Sequence, residues 1–285
     1  MSSLILDEWQ LTISVSPLAT SIFIFFLISR WIIFHVFGVN EKNKKGSSEA
    51  DMLAYEAIAG LAALYMCTAG LLIWFNKLGD VDALNRGNAM YPYLSDRAVE
   101  THILIPMVSY QIVNFFLSFY INDFRSWLGL IHHASAVSIA YYSIVSPIWQ
   151  YYGVYFCGIC ELSSVPFAIA ETLSKFERYR IKYVILNQVS RVLFVATFWT
   201  LRVAIFLYIS KRFWADCYEM YYMQQSIRSM PIFVFYLCSN IFMNALQIFW
   251  GFQMFGYLEK TIATLDDNKI KTISKELPLY NGIHK

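Results

Sequence analysis

Long apolar stretches separated by short polar ones make up most of this sequence. Seven of them reach the length of about 20 residues that a helix needs to cross the hydrocarbon layer of a membrane. The predicted spans are about 16–37, 52–75, 101–121, 126–146, 149–173, 184–209 and 231–258, the fourth and fifth being joined by a tight turn around Pro147. The pattern predicts an all-α, polytopic membrane protein of about seven transmembrane helices.

The polar stretches between the spans are too short to bury cores of their own. We therefore predict one membrane domain, 16–258, preceded by a non-cytosolic segment, 1–15, and followed by a charged cytosolic tail, 259–285. Thirteen Lys and Arg residues lie in the first, third and fifth loops and the tail, and six lie on the opposite side. Because positive residues accumulate on the cytosolic side, the C-terminus is predicted to be cytosolic.

The composition is also that of a membrane protein, with 58% hydrophobic and only 15% charged residues. A formal net charge of +2 and the lack of a basic run argue against a nucleic-acid partner. Cys157 and Cys160 have the spacing of a metal-ligand pair, but no further ligands accompany them and packing explains them better. We therefore expect no metal site and no bound cofactor.

Polar residues inside the spans recur at helical spacing, so that each set shares one face of its helix. These faces carry Gln111, Asn114 and Ser118 in the third span, Cys157, Glu161 and Ser164 in the fifth, Asn187, Arg191 and Arg202 in the sixth, and Asn240, Asn244 and Gln247 in the seventh. Polar side chains within a membrane normally face the bundle interior. The spans are therefore predicted to surround a central polar cavity.

Two adjacent histidines in the fourth span, His132 and His133, are the strongest candidates for catalysis. A titratable side chain in hydrocarbon is costly, so an intramembrane histidine marks a candidate functional site. A neutral imidazole acts as nucleophile or general base toward a thioester when a carboxylate fixes its tautomer, and Glu161 is our catalytic candidate for that carboxylate. Successive helical residues point about 100° apart, so only one ring is expected to face the cavity. The structural alternative is a histidine pair that hydrogen-bonds between helices.

Further polar residues are candidates for binding a lipid or another substrate. They are Gln111, Asn114, Glu171, Arg191 and Asn244. For the amides, the alternative role is hydrogen bonding between helices. Glu161 and Glu171 have the alternative of neutralising Arg191 and Arg202, with Glu171 expected to pair with Arg191, while Arg191 also has the geometry to hold a phosphate. Arg202, near the outer end of its span, is expected to snorkel or to pair structurally.

The histidine pair is followed about thirty residues later by E-L-S-x-x-P-F, from Glu161 to Phe167. This combination resembles the TLC-domain family, which includes the ceramide synthases, over roughly residues 50–260. The resemblance implies a multi-pass fold around a lipid-accessible cavity, an endoplasmic reticulum membrane, and an acyl group carried from acyl-CoA by His132 or His133. Where ceramide synthases have a His-Asp pair, this chain has Cys160 and Glu161, and in this respect it resembles the divergent family members more closely.

Three hypotheses for the function follow. The first is a lipid-handling membrane protein that transfers an acyl group from acyl-CoA through the histidine pair. The second is a non-catalytic lipid sensor, carrier or cargo receptor that uses the same cavity. The third is an accessory subunit that keeps the fold within a larger membrane complex. The expected partners are membrane lipids and acyl-CoA; a homo-oligomer or a larger complex stays open, as does a mitochondrial or another organelle membrane.

Overall fold

The computed structural model describes residues 8–36, 38–39, 47–75, 77–78, 96–145, 149–222 and 230–276. These residues form eight helices: α1 Glu8–His35, α2 Glu49–Trp74, α3 Arg97–Tyr120, α4 Trp127–Val145, α5 Gln150–Lys175, α6 Glu177–Lys182, α7 Val184–Tyr222 and α8 Met230–Glu276. All except the short α6 contain a segment long and apolar enough to cross a membrane, which confirms the seven predicted spans. The predicted turn at Pro147 lies outside the described residues.

α3 and α5 are the most buried of the spans. α2 packs against α5 along much of its length, while α1 packs against α2 and α3. α3 packs on α4, α7 packs on α5, and α8 contacts both α7 and α4. The sequence of contacts therefore runs from α3 through α4, α8 and α7 to α5, which leaves room for an interior space between these helices.

Three of the spans depart from regular α-helix. α3 has a π-helical stretch at Glu100–Leu104, and α7 has one at Phe198–Ile205. α5 has a π-helical stretch at Val154–Gly158 followed directly by a 3₁₀ stretch at Ile159–Ser163. Such turns alter the direction of side chains along a helix and are frequent at functional sites. Arg202 and Glu161 both lie on these irregular stretches.

α2 and α5 approach so closely at one point that only glycine fits. A Cβ placed on Gly70 would lie 2.9 Å from the backbone nitrogen of Ile159 and 3.1 Å from the Cα of Gly158. Small residues allow helix backbones to approach within a membrane, where packing rather than the hydrophobic effect drives association. This crossing lies beside the irregular part of α5 and helps to fix its position.

Several helices continue past the limits predicted from hydropathy. α7 ends at Tyr222 instead of about 209, and α8 continues through the predicted tail to Glu276. The last part of α7 buries apolar residues at every third or fourth position, and three of them, Phe213, Cys217 and Met220, lie in the extension. That periodicity belongs to an amphipathic helix, which a search for uniformly apolar stretches does not extend to its full length. α1 begins at Glu8, within the predicted N-terminal segment.

Replacing Gly70 with Ala is expected to destabilise the fold by about 1–3 kcal/mol, because the added methyl group meets backbone atoms that cannot rotate away. Thermal unfolding of the purified protein in detergent measures this loss. Gly256→Ala is the matched control, since a Cβ there meets nothing within 4 Å. Equal unfolding temperatures for the two variants would contradict the close helix crossing.

Candidate functional site

His133 on α4 is held by an amide from α3. Its Nδ1 lies 2.6 Å from Oε1 of Gln111. The Nε2 of Gln111 donates to Sδ of Met107 at 3.6 Å, which leaves the amide oxygen directed at the imidazole. An amide oxygen only accepts hydrogen bonds, so Nδ1 of His133 carries the proton and Nε2 of the neutral ring keeps its lone pair. The ring therefore has a nucleophilic or basic nitrogen in a defined position.

His132 has different surroundings. Its ring centroid lies 5.5 Å from that of His133 and 5.2 Å from that of Trp250 on α8, which it meets edge to face. The Nδ1 atom is buried and has no hydrogen-bond partner among the described residues. The aromatic contact fixes the position of this ring but leaves its hydrogen bonding open.

Both rings line one cavity of about 420 Å³. The prediction that only one of them faces the interior is wrong, because the cavity extends around α4 and its walls come from α2, α3, α5, α7 and α8 as well. Phe194, Phe198 and Met254 contribute apolar surface to these walls. A space of this size and mixed character suits an amphiphilic molecule.

A second cavity, of about 70 Å³, adjoins the first. His132, Glu161 and Arg202 line both cavities, so these side chains stand at the junction. The far walls of the smaller cavity are largely aromatic, and they include Trp149 and Phe213. The interior space therefore has a wide part beside both histidines and a narrow apolar part beyond the junction.

The junction is held by a buried ion pair between α5 and α7. Nη2 of Arg202 lies 2.8 Å from Oε1 of Glu161, and the two side chains are 8% and 9% exposed. Nε of Arg202 donates to Oγ of Ser163 at 2.7 Å, and Nη2 donates to Oγ of Ser164 at 2.9 Å. Ser164 in turn donates to the second carboxylate oxygen of Glu161 at 2.8 Å. The prediction that Arg202 snorkels is wrong, and its alternative of structural pairing is the arrangement found.

Glu161 thus lines the cavity but does not orient a histidine. Among the residues that the structure describes, neither imidazole forms a hydrogen bond or ion pair with a carboxylate. The carboxylate is instead occupied by a cation one helix away, because a buried Arg without a counter-charge would be far more costly than a neutral histidine held by an amide. The predicted catalytic partner of the histidines is replaced by Gln111.

A second group of charges lies at another part of the large cavity. Glu171 pairs with Lys175 at 2.9 Å, not with Arg191 as one alternative predicted. Lys175 also lies 3.9 Å from Glu56 on α2 and 3.6 Å from the ring centroid of Phe124. Glu56, which lines the cavity and is buried, was missed from the sequence. Its signal was a carboxylate within an apolar stretch, the same signal that identified Glu161.

The remaining predicted lipid-binding residues divide into two groups. Asn114 and Arg191 line the large cavity, where Asn114 donates to the hydroxyl of Tyr110 at 3.0 Å and Nε of Arg191 donates to Asn187 at 3.1 Å. Asn244 lines neither cavity. Its amide donates to Ser210 on α7 at 3.0 Å, which is the alternative role of hydrogen bonding between helices.

Cys157 and Cys160 are buried free thiols, and Sγ of Cys160 donates to the carbonyl oxygen of Phe156 at 2.9 Å. In the part of the chain that the structure describes, no three His, Cys, Asp or Glu side chains are grouped so as to hold a metal ion. The chemistry that this site offers on its own is therefore that of an imidazole, an ion pair and two serines in a mixed polar and apolar cavity.

The chain matches the protein-family model TRAM_LAG1_CLN8, described as the TLC domain, over residues 55–256. The matched region contains both histidines, the Glu161–Arg202 pair and most of the residues that line the two cavities. No curated protein and no solved structure matches the chain.

Replacing Gln111 with Leu is expected to release His133 from its single tautomer, because the only oxygen that accepts from Nδ1 is lost while the side-chain volume is nearly kept. Nitrogen-15 NMR of histidine-labelled protein, with the His133 signals assigned by their loss in His133→Asn, measures the tautomer. The control is Gln253→Leu, which changes another glutamine of the same cavity wall. An unaltered His133 spectrum in the Gln111 variant would show that this hydrogen bond does not set the tautomer.

Proposed function

We propose that this chain, which belongs to the TLC-domain family, binds an amphiphilic acyl donor in its large cavity and transfers the acyl group through His133. The observation that carries the proposal is the hydrogen bond from His133 to Gln111, which leaves Nε2 with a free lone pair beside a lipid-sized space. A catalytic nucleophile needs both a lone pair and room for the reacting carbonyl group. A purely structural histidine would use the hydrogen bond to Gln111 but would not need the space beside Nε2.

The proposed donor is an acyl-CoA. The lone pair on Nε2 of His133 attacks the thioester carbonyl carbon, the carbon–sulfur bond breaks, and the thiol of CoA leaves with a proton taken up from water. The resulting acyl-imidazolium, whose Nδ1 is still protonated, is then attacked by an alcohol or amine of a second lipid, whose proton is released as the carbon–nitrogen bond to the imidazole breaks. The ring returns to its neutral state, with Nδ1 still held by Gln111.

The cavity walls support an acyl chain with a polar end. Its volume of about 420 Å³ lies within the range of small-molecule sites, about 300–1,000 Å³. Asn114 and Arg191 supply polar groups on opposite helices, and the guanidinium of Arg191 has the geometry to hold a phosphate oxygen of the donor. Aromatic residues between them supply the apolar surface on which a chain would lie.

A non-catalytic lipid sensor, carrier or cargo receptor is the second candidate. One observation favours it: in the described part of the chain, neither histidine has the carboxylate partner that would stabilise a positively charged acyl-imidazole. The polar cavity would then serve only to hold a lipid. An accessory subunit of a larger membrane complex, or a homo-oligomer, would use the same fold without any cavity ligand.

We also propose an endoplasmic reticulum membrane with the C-terminus in the cytosol, which follows from the family and from the excess of Lys and Arg on that side. The expected result is that protease added to intact microsomes removes an epitope attached after Lys285, whereas an epitope attached before Met1 is protected. Cleavage of the N-terminal epitope and protection of the C-terminal one would reverse the orientation.

Replacing His133 with Ala is expected to abolish covalent acylation, because the only nucleophile proposed for the reaction is removed. Full-length protein in detergent is incubated with hexadecanoyl-CoA, and the acyl adduct is measured by intact-protein mass spectrometry and by its release with hydroxylamine. The matched control is His102→Ala: His102 also lies within a span, bonds to Tyr65 at 3.0 Å and lines neither cavity.

The outcomes separate the two candidates. Adduct in the wild type and in His102→Ala, but not in His133→Ala, supports acyl transfer. If the wild type forms no adduct but copurifies with the same bound lipid as both variants, the lipid-holding function replaces the enzyme. Adduct that persists in His133→Ala would assign the chemistry to another residue.

A further inference from the structure

Arg202 has donors that its ion pair does not use. A guanidinium carries five N–H groups, one on Nε and two on each terminal nitrogen. Nε donates to Ser163, and Nη2 is occupied by Ser164 and Glu161. Nη1 makes no hydrogen bond with any residue that the structure describes. Two N–H groups of a fixed cation are therefore available for another partner.

The position of Arg202 indicates where that partner would lie. Arg202 is only 7% exposed, yet it lines both the large and the small cavity. A partner of Nη1 would consequently occupy the junction, beside His132 and in the cavity that His133 also lines. The small accessible surface of Arg202 therefore belongs to the junction between the wide and the narrow parts of the interior space.

The guanidinium is also rigidly oriented. Three contacts at 2.7–2.9 Å from two serines and a carboxylate hold its plane, and all three come from residues 161–164 of α5. The π-helical stretch Phe198–Ile205 presents the side chain to those partners from α7. Donors fixed in advance stabilise developing negative charge more effectively than mobile ones, since they need no reorganisation during the reaction.

We propose that Arg202 is a catalytic residue that binds the carbonyl oxygen of the acyl group through Nη1. This inference rests on the proposed function. As Nε2 of His133 attacks the carbonyl carbon, the π electrons of the carbonyl bond move to the oxygen, and the resulting oxyanion accepts hydrogen bonds from Nη1. When those electrons return, the carbon–sulfur bond breaks and the thiolate leaves. The ligand class for this site is accordingly an acyl carbonyl group or, at rest, a carboxylate.

Glu161 is then essential for a reason other than the orientation of a histidine. It keeps the site neutral overall when no substrate is bound, so that a cation can be kept within the bundle at all. The second oxygen of its carboxylate, Oε2, accepts a hydrogen bond from Ser164. Nη1 of Arg202 is thus the part of the ion pair that has no partner among the described residues.

The test compares Arg202→Lys with the wild type. Lysine keeps the charge that pairs with Glu161 but lacks the planar fork that extends Nη1 to the junction. The double variant Glu161→Gln/Arg202→Gln removes both charges together, so it avoids a buried unpaired ion if the first variant folds poorly. Arg212→Lys is the matched control, because Arg212 lies on the same helix, contacts Tyr208 and lines neither cavity.

Single-turnover acylation by hexadecanoyl-CoA is measured over a range of donor concentrations. The saturating rate should fall about 10²–10³-fold in Arg202→Lys and in the double variant, the loss expected for one oxyanion donor. The donor concentration that gives half the maximal rate should change little, because the contact strengthens only in the transition state. Arg212→Lys should match the wild type. Unchanged saturating rates in both test variants would overturn the proposal.

A binding measurement distinguishes failure of this proposal from failure of the enzyme hypothesis. If the wild type forms no adduct, Arg202 should still make the cavity bind hexadecanoate more tightly than hexadecanol, and the preference should disappear in the double variant. Preference retained in the double variant, or absent from the wild type, would overturn the assignment of Arg202. An active wild type with a fully active double variant would overturn Arg202 alone and leave acyl transfer by His133 in place.

Discussion

The ion pair between Glu161 and Arg202 is the interaction on which the interior of this protein depends. An isolated charge inside a membrane bundle would cost several kcal/mol, so each of these residues requires the other. The pair joins α5 to α7 at the irregular stretch of each helix, where Ser163 and Ser164 also hydrogen-bond to it. The walls on either side of the junction, and therefore both cavities, are positioned by this contact.

The same requirement accounts for the other polar side chains of the bundle. Gln111 satisfies His133, Asn240 accepts from the indole of Trp214 at 3.0 Å, and Gln150 donates to Glu100 at 3.0 Å. Each contact joins two helices, so the polar groups act as specific connections where packing of apolar surfaces alone would be less selective. Apolar residues are left for the outside; Ile185, for example, is 77% exposed.

This distribution of charge also explains why His133 is bound by an amide and not by an acid. The one carboxylate close to the junction is neutralised by Arg202, and the other two acidic residues of the large cavity, Glu56 and Glu171, lie near Lys175. A neutral imidazole with a neutral partner adds no further charge to the interior. This chain has Cys160 and Glu161 where ceramide synthases have a His-Asp pair. Here Glu161 pairs with Arg202, and the partner of His133 is Gln111.

Hydropathy and helical spacing were sufficient to predict seven spans, an all-helical fold and polar faces that turn inward, because a membrane forces every backbone group into a helix and excludes polar side chains from lipid. The amphipathic end of α7 was not predicted, because its burial depends on contacts within the protein and not on the membrane. Spacing along a helix also identified Gln111 and Glu161, but it could not assign their partners. Only the tertiary structure decided that Gln111 binds His133, that Arg202 pairs with Glu161, and that both imidazoles line one cavity. Those pairings depend on how helices far apart in sequence cross, and on π-helical and 3₁₀ turns that shift side chains away from the regular 100° step.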